Sequence, residues 1–229
     1  LPKDTFAIIV DDPYKAFALL TNLFSKKLTP KNKISNLSEI HKDTKINQNV
    51  NIESFVNILE DCEIGKNVII ESNSTIGPNV VILNNTHVKS NCVISNSKIG
   101  ANCIIKSGAI IGGSGFGFDP ISKVIIQHFG NVIIKDNCNI GSNTTIDRSV
   151  LDSTIISENC FLDNLVHIAH NVIIGKGTII AAQSCIAGST VIGENVIIGG
   201  QVGISGHINI GNNVKIAAKS GVTKNIKDN

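Results

Sequence analysis

The sequence predicts an all-β fold, a parallel β-helix built from six-residue repeats. An apolar residue returns at every sixth position from Ile156 to Val222 without a break. This period differs from the 3.6 residues of an α-helix and the two residues of an ordinary strand, and it is typical of hexapeptide β-helices. The composition agrees, because 42% of the residues are hydrophobic but only 4% are aromatic. The core must therefore consist of β-branched side chains, which favour strands.

The first 38 residues do not follow the repeat, and we interpret residues 1–38 as a short α/β remnant followed by a linker. Residues 6–10 (FAIIV) predict a strand, and Asp12 followed by Pro13 predicts the start of a helix. Residues 25–38 contain Lys, Ser, Asn and Pro30, a composition typical of linkers. Because the chain contains no Met and begins at Leu1, we expect it to be a piece of a longer product.

Residues 39–229 carry the repeat, which starts at Ile40 and comprises 28 hexads. If three hexads close one coil of 18 residues, the chain forms about nine coils, stacked about 4.8 Å apart over about 45 Å. The repeat stops after Ile111 and is interrupted again near residues 147–154. Residues 112–131, which begin GGSGFGFDP, are expected to leave the β-helix as an excursion loop.

Charge and cysteine positions exclude several classes of function. A formal net charge of +2 with scattered lysines gives no support for nucleic-acid binding. The sequence contains neither a membrane-length apolar run nor a signal peptide, so a soluble, cytoplasmic protein is expected. Five of the six cysteines fall four places after a repeat-marking residue, which indicates small buried side chains rather than disulfides. No CxxC pair suggests a metal site.

Histidines are the first candidates for chemistry, because an interior filled with Ile forces any active site onto the outer surface. A neutral imidazole accepts a proton near pH 7. Of the six histidines, His170 in LDNLVHIAHN (162–171) is the candidate base. His128 in the excursion loop is a weaker candidate, and His167 is interpreted as incidental. A zinc site shared between three chains, as in gamma-class carbonic anhydrases, is disfavoured because His167 and His170 are too close in sequence.

Four segments occur in order within the repeats: GSGFGF (113–118), TTIDR (144–148), LDNLVHIAHN (162–171) and ISGH (204–207). Together they resemble the UDP-3-O-acylglucosamine N-acyltransferases of lipid A biosynthesis. The resemblance implies a left-handed parallel β-helix, an exception to the usual right-handed crossover. It also implies a homotrimer with active sites between subunits.

The same resemblance implies transfer of a 3-hydroxyacyl chain from acyl carrier protein to the 2-amino group of a UDP-sugar. No cofactor is expected beyond the phosphopantetheine of the carrier. By the resemblance His170 is the general base and His207 a second functional histidine that contacts substrate. In the family an N-terminal domain binds the uridine; residues 1–38 would be its remnant, and the residues that hold uracil would be missing.

The physical logic of amine acylation agrees with these roles. A positioned base takes the proton of the attacking amine, and a backbone N–H stabilises the oxyanion. Gly188 follows His170 by 18 residues, one predicted coil later, and the resemblance also points to its N–H. Asp163 and Asn164 are expected near the same edge, where they orient the imidazole, hold substrate, or only form a turn.

Alternatives remain open at this point. Phe116 and Phe118 either cover an acyl groove or pack on a neighbouring prism. The sister O-acyltransferase, which acylates a glucosamine 3-hydroxyl, shares an HIAH-type base, although TTIDR and GFGF favour the N-acyltransferase. A coenzyme A-dependent acetyltransferase is less favoured. A trimeric fragment without activity is also possible, because no C-terminal helical extension follows Gly221 and Ser149 replaces the family's usual Gly.

Overall fold

The computed structural model describes residues 3–25, 29–30 and 32–229. One α-helix, α1 (Pro13–Phe24), precedes the β-structure and begins as predicted, with the side chain of Asp12 accepting a hydrogen bond from the Lys15 N–H at 3.0 Å. The predicted strand at residues 6–10 is wrong: this segment forms no strand, and Ile9 is 93% exposed. A strand needs a partner edge, and no described residue supplies one.

The β-structure consists of 28 short strands, in agreement with the 28 hexads. The first ten are β1 (Glu39–Ile40), β2 (Lys45–Ile46), β3 (Asn51–Ile52), β4 (Asn57–Ile58), β5 (Cys62–Ile64), β6 (Ile69–Ile70), β7 (Thr75–Ile76), β8 (Val80–Ile82), β9 (His87–Val88) and β10 (Val93–Ile94). The next nine are β11 (Ser97–Ile99), β12 (Ile104–Ile105), β13 (Ile110–Ser114), β14 (Asn131–Ile134), β15 (Asn139–Ile140), β16 (Thr145–Arg148), β17 (Ser153–Ile156), β18 (Phe161–Leu162) and β19 (His167–Ile168). The last nine are β20 (Ile173–Ile174), β21 (Ile179–Ile180), β22 (Cys185–Ile186), β23 (Val191–Ile192), β24 (Ile197–Ile198), β25 (Gly203–Ile204), β26 (Asn209–Ile210), β27 (Lys215–Ile216) and β28 (Gly221–Val222).

Each strand pairs in parallel with the strand three places later, so the chain winds into a β-helix with three sheets. Sheet 1 holds ten strands from β1 to β28, sheet 2 holds nine from β2 to β26, and sheet 3 holds nine from β3 to β27. In a regular coil Ile40 pairs with Ile58, which confirms the predicted 18-residue period. The repeat-marking side chains stack inside the coils as one continuous core of Ile and Val.

The corners between sheets depend on residues in the left-handed region, where Asn is tolerated better than most side chains. Asn67, Asn85 and Asn102 have φ values of 60°, 59° and 56° at equivalent corners. Their amides also form a hydrogen-bonded ladder along the β-helix. The five cysteines predicted to be buried are buried free thiols, whereas Cys185 is exposed.

Two interruptions lengthen particular coils. The partner of Ile111 is Ile146, 35 residues later, because the excursion loop lies between them. The partner of Ile134 is Ile156, 22 residues later, because residues 149–152 add a second, smaller loop. The boundaries of the excursion loop differ from the predicted 112–131: β13 continues to Ser114 and β14 begins at Asn131, because Gly113 and Ser114 pair with Asp147 and Arg148.

One corner residue conflicts with its backbone conformation and provides a stability test. Phe55 has a φ of 62° and is 63% exposed, whereas Asn73 and Asn91 occupy the equivalent corner of the next two coils. A left-handed conformation costs an ordinary L-residue about 1–2 kcal/mol. Phe55→Asn is therefore expected to raise the free energy of unfolding by about 1 kcal/mol, measured by urea unfolding at fixed protein concentration. Asn73→Phe is the matched reverse change and should lower the free energy of unfolding. If both substitutions raised it, or both lowered it, the preference of this corner for Asn would be contradicted.

Candidate active site

His170 lies just after strand β19, at a corner that joins sheet 1 to sheet 2. Strands β19 and β22 pair in register, Ile168 with Ile186, so the corner of the next coil places Gly188 directly beside His170. A Cβ atom on Gly188 would lie 2.7 Å from Cε1 and 2.9 Å from Nε2 of His170. The imidazole therefore occupies the space that a side chain at position 188 would take, and only glycine leaves room for it.

The backbone around Gly188 leaves one donor free. The Ser189 N–H donates to the carbonyl of His170 at 3.0 Å, and the His207 N–H donates to the carbonyl of Gly188 at 3.1 Å. Within the described ranges, no acceptor is found for the Gly188 N–H itself. A free N–H beside a histidine ring is the arrangement that can stabilise an oxyanion forming within reach of the base.

Asn171 determines which nitrogen of His170 carries the proton. Its Oδ1 lies 3.1 Å from His170 Nδ1 and also accepts the backbone N–H of Val150 at 3.2 Å. The amide nitrogen Nδ2 donates to Ser149 Oγ. Because a backbone N–H can only donate, Oδ1 is the acceptor, and Nδ1 of His170 must be the donor. Nε2 then carries the lone pair, which is the tautomer that a general base requires.

His128 brings the excursion loop onto the other side of His170. The two ring centroids are 5.5 Å apart at an interplanar angle of 66°. His128 is only 3% exposed, and its Nδ1 lies 3.1 Å from the carbonyl of Ile126. Burial, with the neighbouring His170 as a second cause, lowers the pKa of His128. A neutral His128 thus packs the excursion loop against one side of His170.

Asp147 and His167 form a second polar group next to the base. Thr145 and Asp147 are two residues apart on β16, and His167 lies on the adjacent strand β19 in register with Thr145. His167 Nδ1 is 2.7 Å from Thr145 Oγ1, and its Nε2 is 3.8 Å from Asp147 Oδ2. Burial raises the pKa of Asp147, while the imidazoles of His167, His170 and His128 act in the opposite direction.

A groove of about 620 Å³ opens beside these residues on the outer face of sheet 1. His167 and His170 line its polar part, and most of the remaining lining is apolar or backbone, including Phe116, Ile186, Ile204 and Val222. Phe118 does not line the groove but contacts Phe116 edge to face, with ring centroids 4.9 Å apart. The groove therefore joins a candidate base to a surface suited to a hydrocarbon chain.

Asp163 and Asn164 do not reach His170 within one chain. They occupy a corner that joins sheet 3 to sheet 1, whereas His170 occupies a corner that joins sheet 1 to sheet 2. Asp163 precedes His170 by seven residues, which is slightly more than one hexad. The two residues therefore lie on different edges of the coil. Asp163 Oδ1 accepts the Asn164 N–H at 2.8 Å, and Asn164 Oδ1 accepts the Ser142 N–H at 2.8 Å. Asp163 also lines a separate groove of about 750 Å³ with Lys89 and Lys106.

His207 lies at the sheet 1–sheet 2 corner one coil beyond Gly188. Its backbone has a φ of 59°, and its side chain is exposed and does not line the groove. The sequence singled out His170, Gly188 and Phe116, which the structure brings together. It missed Asn171 and treated His167 as incidental, although His167 directly precedes the repeat-marking Ile168 on its strand and so points outward. In the described part of the chain no three His, Cys, Asp or Glu side chains are grouped so as to hold a metal ion.

The tautomer assigned to His170 gives a testable consequence. Asn171→Ala removes the acceptor at Nδ1 and is expected to lower kcat on the order of tenfold to a hundredfold, the loss seen when the hydrogen-bond partner of a metal-ligating histidine is removed. Asn171→Asp keeps the acceptor and should retain much more activity. The measurement is steady-state kinetics of the acyl transfer proposed below, on variants with unchanged oligomeric state. Equal losses in both variants would contradict the role of Asn171 Oδ1.

Two hexapeptide-repeat families match the chain. The family described as bacterial transferase hexapeptide (six repeats) matches residues 43–78 and 153–188. The family described as hexapeptide repeat of succinyl-transferase matches residues 67–97, 131–168 and 189–224. Both matches leave out the excursion loop between β13 and β14, and the second spans the smaller loop at residues 149–152.

Individual relatives give a closer comparison. The chain is 42% identical over 187 residues to the UDP-3-O-acylglucosamine N-acyltransferase of Helicobacter pylori, a match that covers 80% of this chain and 54% of that protein. It is 43% identical over 188 residues to the protein of the same name from Acinetobacter baumannii, covering 81% and 52%. The chain thus spans about half the length of these relatives.

Among solved structures, the Arabidopsis UDP-N-acetylglucosamine acyltransferase matches with a TM-score of 0.70 at 21% identity, over 85% of this chain and 68% of that one. At this identity the match supports the fold alone. The sequence matches carry the relationship further: the chain contains the hexapeptide repeats of these two transferase families and is a homologue of proteins named UDP-3-O-acylglucosamine N-acyltransferase.

Proposed function

We propose that this chain is the β-helix part of an N-acyltransferase of lipid A biosynthesis. It would move a 3-hydroxyacyl chain from acyl carrier protein to the 2-amino group of UDP-3-O-acylglucosamine. The observation that carries this proposal is the contact between His170 and Gly188: a histidine with its Nε2 lone pair free, beside an unpaired backbone N–H, at the head of an apolar groove. The names of the curated relatives support the choice of substrate.

In this mechanism the free amine attacks the thioester carbonyl carbon, and a C–N bond forms. His170 Nε2 takes the proton from the attacking nitrogen, while Asn171 holds the proton on Nδ1. The Gly188 N–H stabilises the oxyanion of the tetrahedral intermediate. When the C–S bond breaks, the leaving thiolate of phosphopantetheine takes the proton back from His170, and the base is regenerated. Each step uses a group already present in the chain or in its two substrates.

The groove is suited to an acyl chain because its walls are apolar and because glycines without side chains form part of its floor. Gly203 and Gly221 lie in the floor, and a Cβ on either would meet no atom within 4 Å. Phe116 closes one side. A hydrocarbon chain in this groove would place its thioester near His170 and exchange water for apolar contacts.

A homotrimer is part of the proposal and is supported by two apolar stripes. Ile104, Phe161, Ile179 and Ile197 are 38–50% exposed on the outer face of sheet 3, and Ile173 and Val191 are exposed on sheet 2. These stripes flank the corner that joins the two sheets. A chain that binds its neighbours through two different faces forms a ring when the rotation between copies closes, and three copies make the smallest such ring.

The location of the protein is proposed to be the cytoplasm. Five buried cysteines remain free thiols in the structure, as expected in a reducing compartment. Separately, no helix among the described residues is long and apolar enough to cross a membrane.

A transfer assay tests the function. With 3-hydroxyacyl carrier protein and UDP-3-O-acylglucosamine, His170→Ala is expected to lower kcat/KM on the order of a hundredfold to ten-thousandfold, the usual contribution of a general base. His41→Gln is the matched control, because His41 lies near the start of the β-helix, in the first coil, and should leave activity unchanged.

Other outcomes separate the alternatives. Transfer to UDP-N-acetylglucosamine, but not to the amine substrate, would favour the sister O-acyltransferase. No transfer to either acceptor by the unmodified trimer would overturn the enzymatic proposal and favour a non-catalytic role. Equal activity in His170→Ala and the unmodified chain would leave the reaction class standing but contradict His170 as base.

A further inference from the structure

Acylation of an amine that arrives as an ammonium ion requires the removal of two protons from its nitrogen, and His170 accepts only one of them. An amine two bonds from an acetal carbon resembles an α-amino group, whose pKa is about 8. At neutral pH such a substrate is therefore mostly an ammonium ion, which has no lone pair to attack with. One proton must leave before attack and a second must leave afterwards, and the single lone pair on His170 serves the second.

We propose that Asp147 and His167 form a second proton acceptor, which binds the substrate's ammonium group and takes the first proton before His170 takes the second. This inference rests on the proposed N-acyltransferase function and deepens it. His167 and His170 line the same groove, one on the strand and one at the corner that follows it. Asp147 lies at the extended end of the neighbouring strand β16, with its Oδ2 atom 3.8 Å from His167 Nε2.

The surroundings of His167 are arranged to hold a positive charge. Once protonated, both of its ring nitrogens are donors. Thr145 Oγ1 is already 2.7 Å from Nδ1, and the carboxylate of Asp147 is 3.8 Å from Nε2. A small movement of the ring would convert the second distance into a charge-assisted hydrogen bond. The first proton therefore has a site that stabilises it, separate from His170.

The carboxylate of Asp147 is suited to an incoming cation. Its side chain is 16% exposed, and within the described ranges no side chain or backbone group donates a hydrogen bond to it. Partial burial without a donor makes a carboxylate costly, and burial accordingly raises the pKa of Asp147. An ammonium group would supply the missing donors and compensate the charge.

The other titratable groups around the pair define its charge environment. Arg148 follows Asp147 on the same strand, and its Nη2 donates to Ser114 Oγ at 3.3 Å. His128 approaches from the excursion loop and stays neutral because burial lowers its pKa. His170 lies at the following corner, and Cys185 lies in register with His167 on the next coil. The groups whose charge acts on the Asp147 carboxylate are thus the three imidazoles of His167, His170 and His128.

The proton balance is complete. The substrate R–NH₃⁺ gives its first proton to His167, which becomes an imidazolium paired with Asp147. The free R–NH₂ attacks the thioester, and the second proton passes to His170 and then to the leaving thiolate. The products are an amide, a thiol and one proton, which His167 releases to solvent. A hydroxyl acceptor has only one proton to lose, so this pair favours an amine substrate over a hydroxyl substrate.

The test is the pH dependence of kcat/KM for acyl transfer by the variants Asp147→Asn and His167→Gln. His170→Gln, which removes the base, and His41→Gln, which lies far along the sequence from the site, serve as comparisons. Both pair variants should lose on the order of tenfold to a hundredfold near pH 6.5, where the substrate is an ammonium ion, and approach the unmodified chain near pH 9, where it is a free amine. His170→Gln should lose activity at every pH. His41→Gln should behave like the unmodified chain.

A merely structural role would not produce recovery at high pH. Losses of the same size at every pH, with transfer by the unmodified chain intact, would overturn this inference and leave the proposed function standing. An unmodified chain that acylates no amine at any pH would overturn the proposed function and, with it, the second proton acceptor. Unchanged unfolding midpoints in the variants would show that the losses do not arise from misfolding.

Discussion

In-register stacking of equivalent residues is the constraint on which the rest of the molecule depends. Each strand pairs with the strand one coil later, so residues 18 positions apart lie directly above one another. Inside the coils this rule stacks Ile upon Ile and builds the core. Outside, the same rule places the imidazole of His170 on the backbone of Gly188. Fold and candidate active site are therefore two results of one periodicity.

The site is completed where the periodicity is broken. The excursion loop supplies His128 and Phe116, and the smaller loop at residues 149–152 supplies contacts that hold Asn171. Strand β16 extends past the regular two-residue length next to these interruptions, which positions Asp147 beside His167. A regular coil provides a base and an oxyanion donor at its corner; the irregular segments provide the groups that orient the base and shape the groove.

The repeat was sufficient to predict the 28 strands and the contact of His170 with Gly188, because both follow from counting residues. The repeat did not predict contacts that do not recur from one hexad to the next. The strand expected at residues 6–10 lacks a partner, and Ser114 remains in β13 because it pairs with Arg148, another residue outside the repeat. Asp163 was expected near His170 by sequence proximity, but seven residues carry the chain to another edge of the coil. The role of Asn171 depends on side-chain hydrogen bonds that no spacing indicates.

The central claim is that the folded chain holds His170 as a neutral base with its proton on Nδ1 and its lone pair on Nε2. The most direct measurement is the ¹⁵N NMR spectrum of the histidine ring nitrogens in uniformly labelled protein, with His170→Gln used to assign the signals. In mildly alkaline solution the account predicts a protonated, pyrrole-type Nδ1 and an unprotonated, pyridine-type Nε2 for His170. A proton found on Nε2 instead would contradict the assignment and remove the base from the groove.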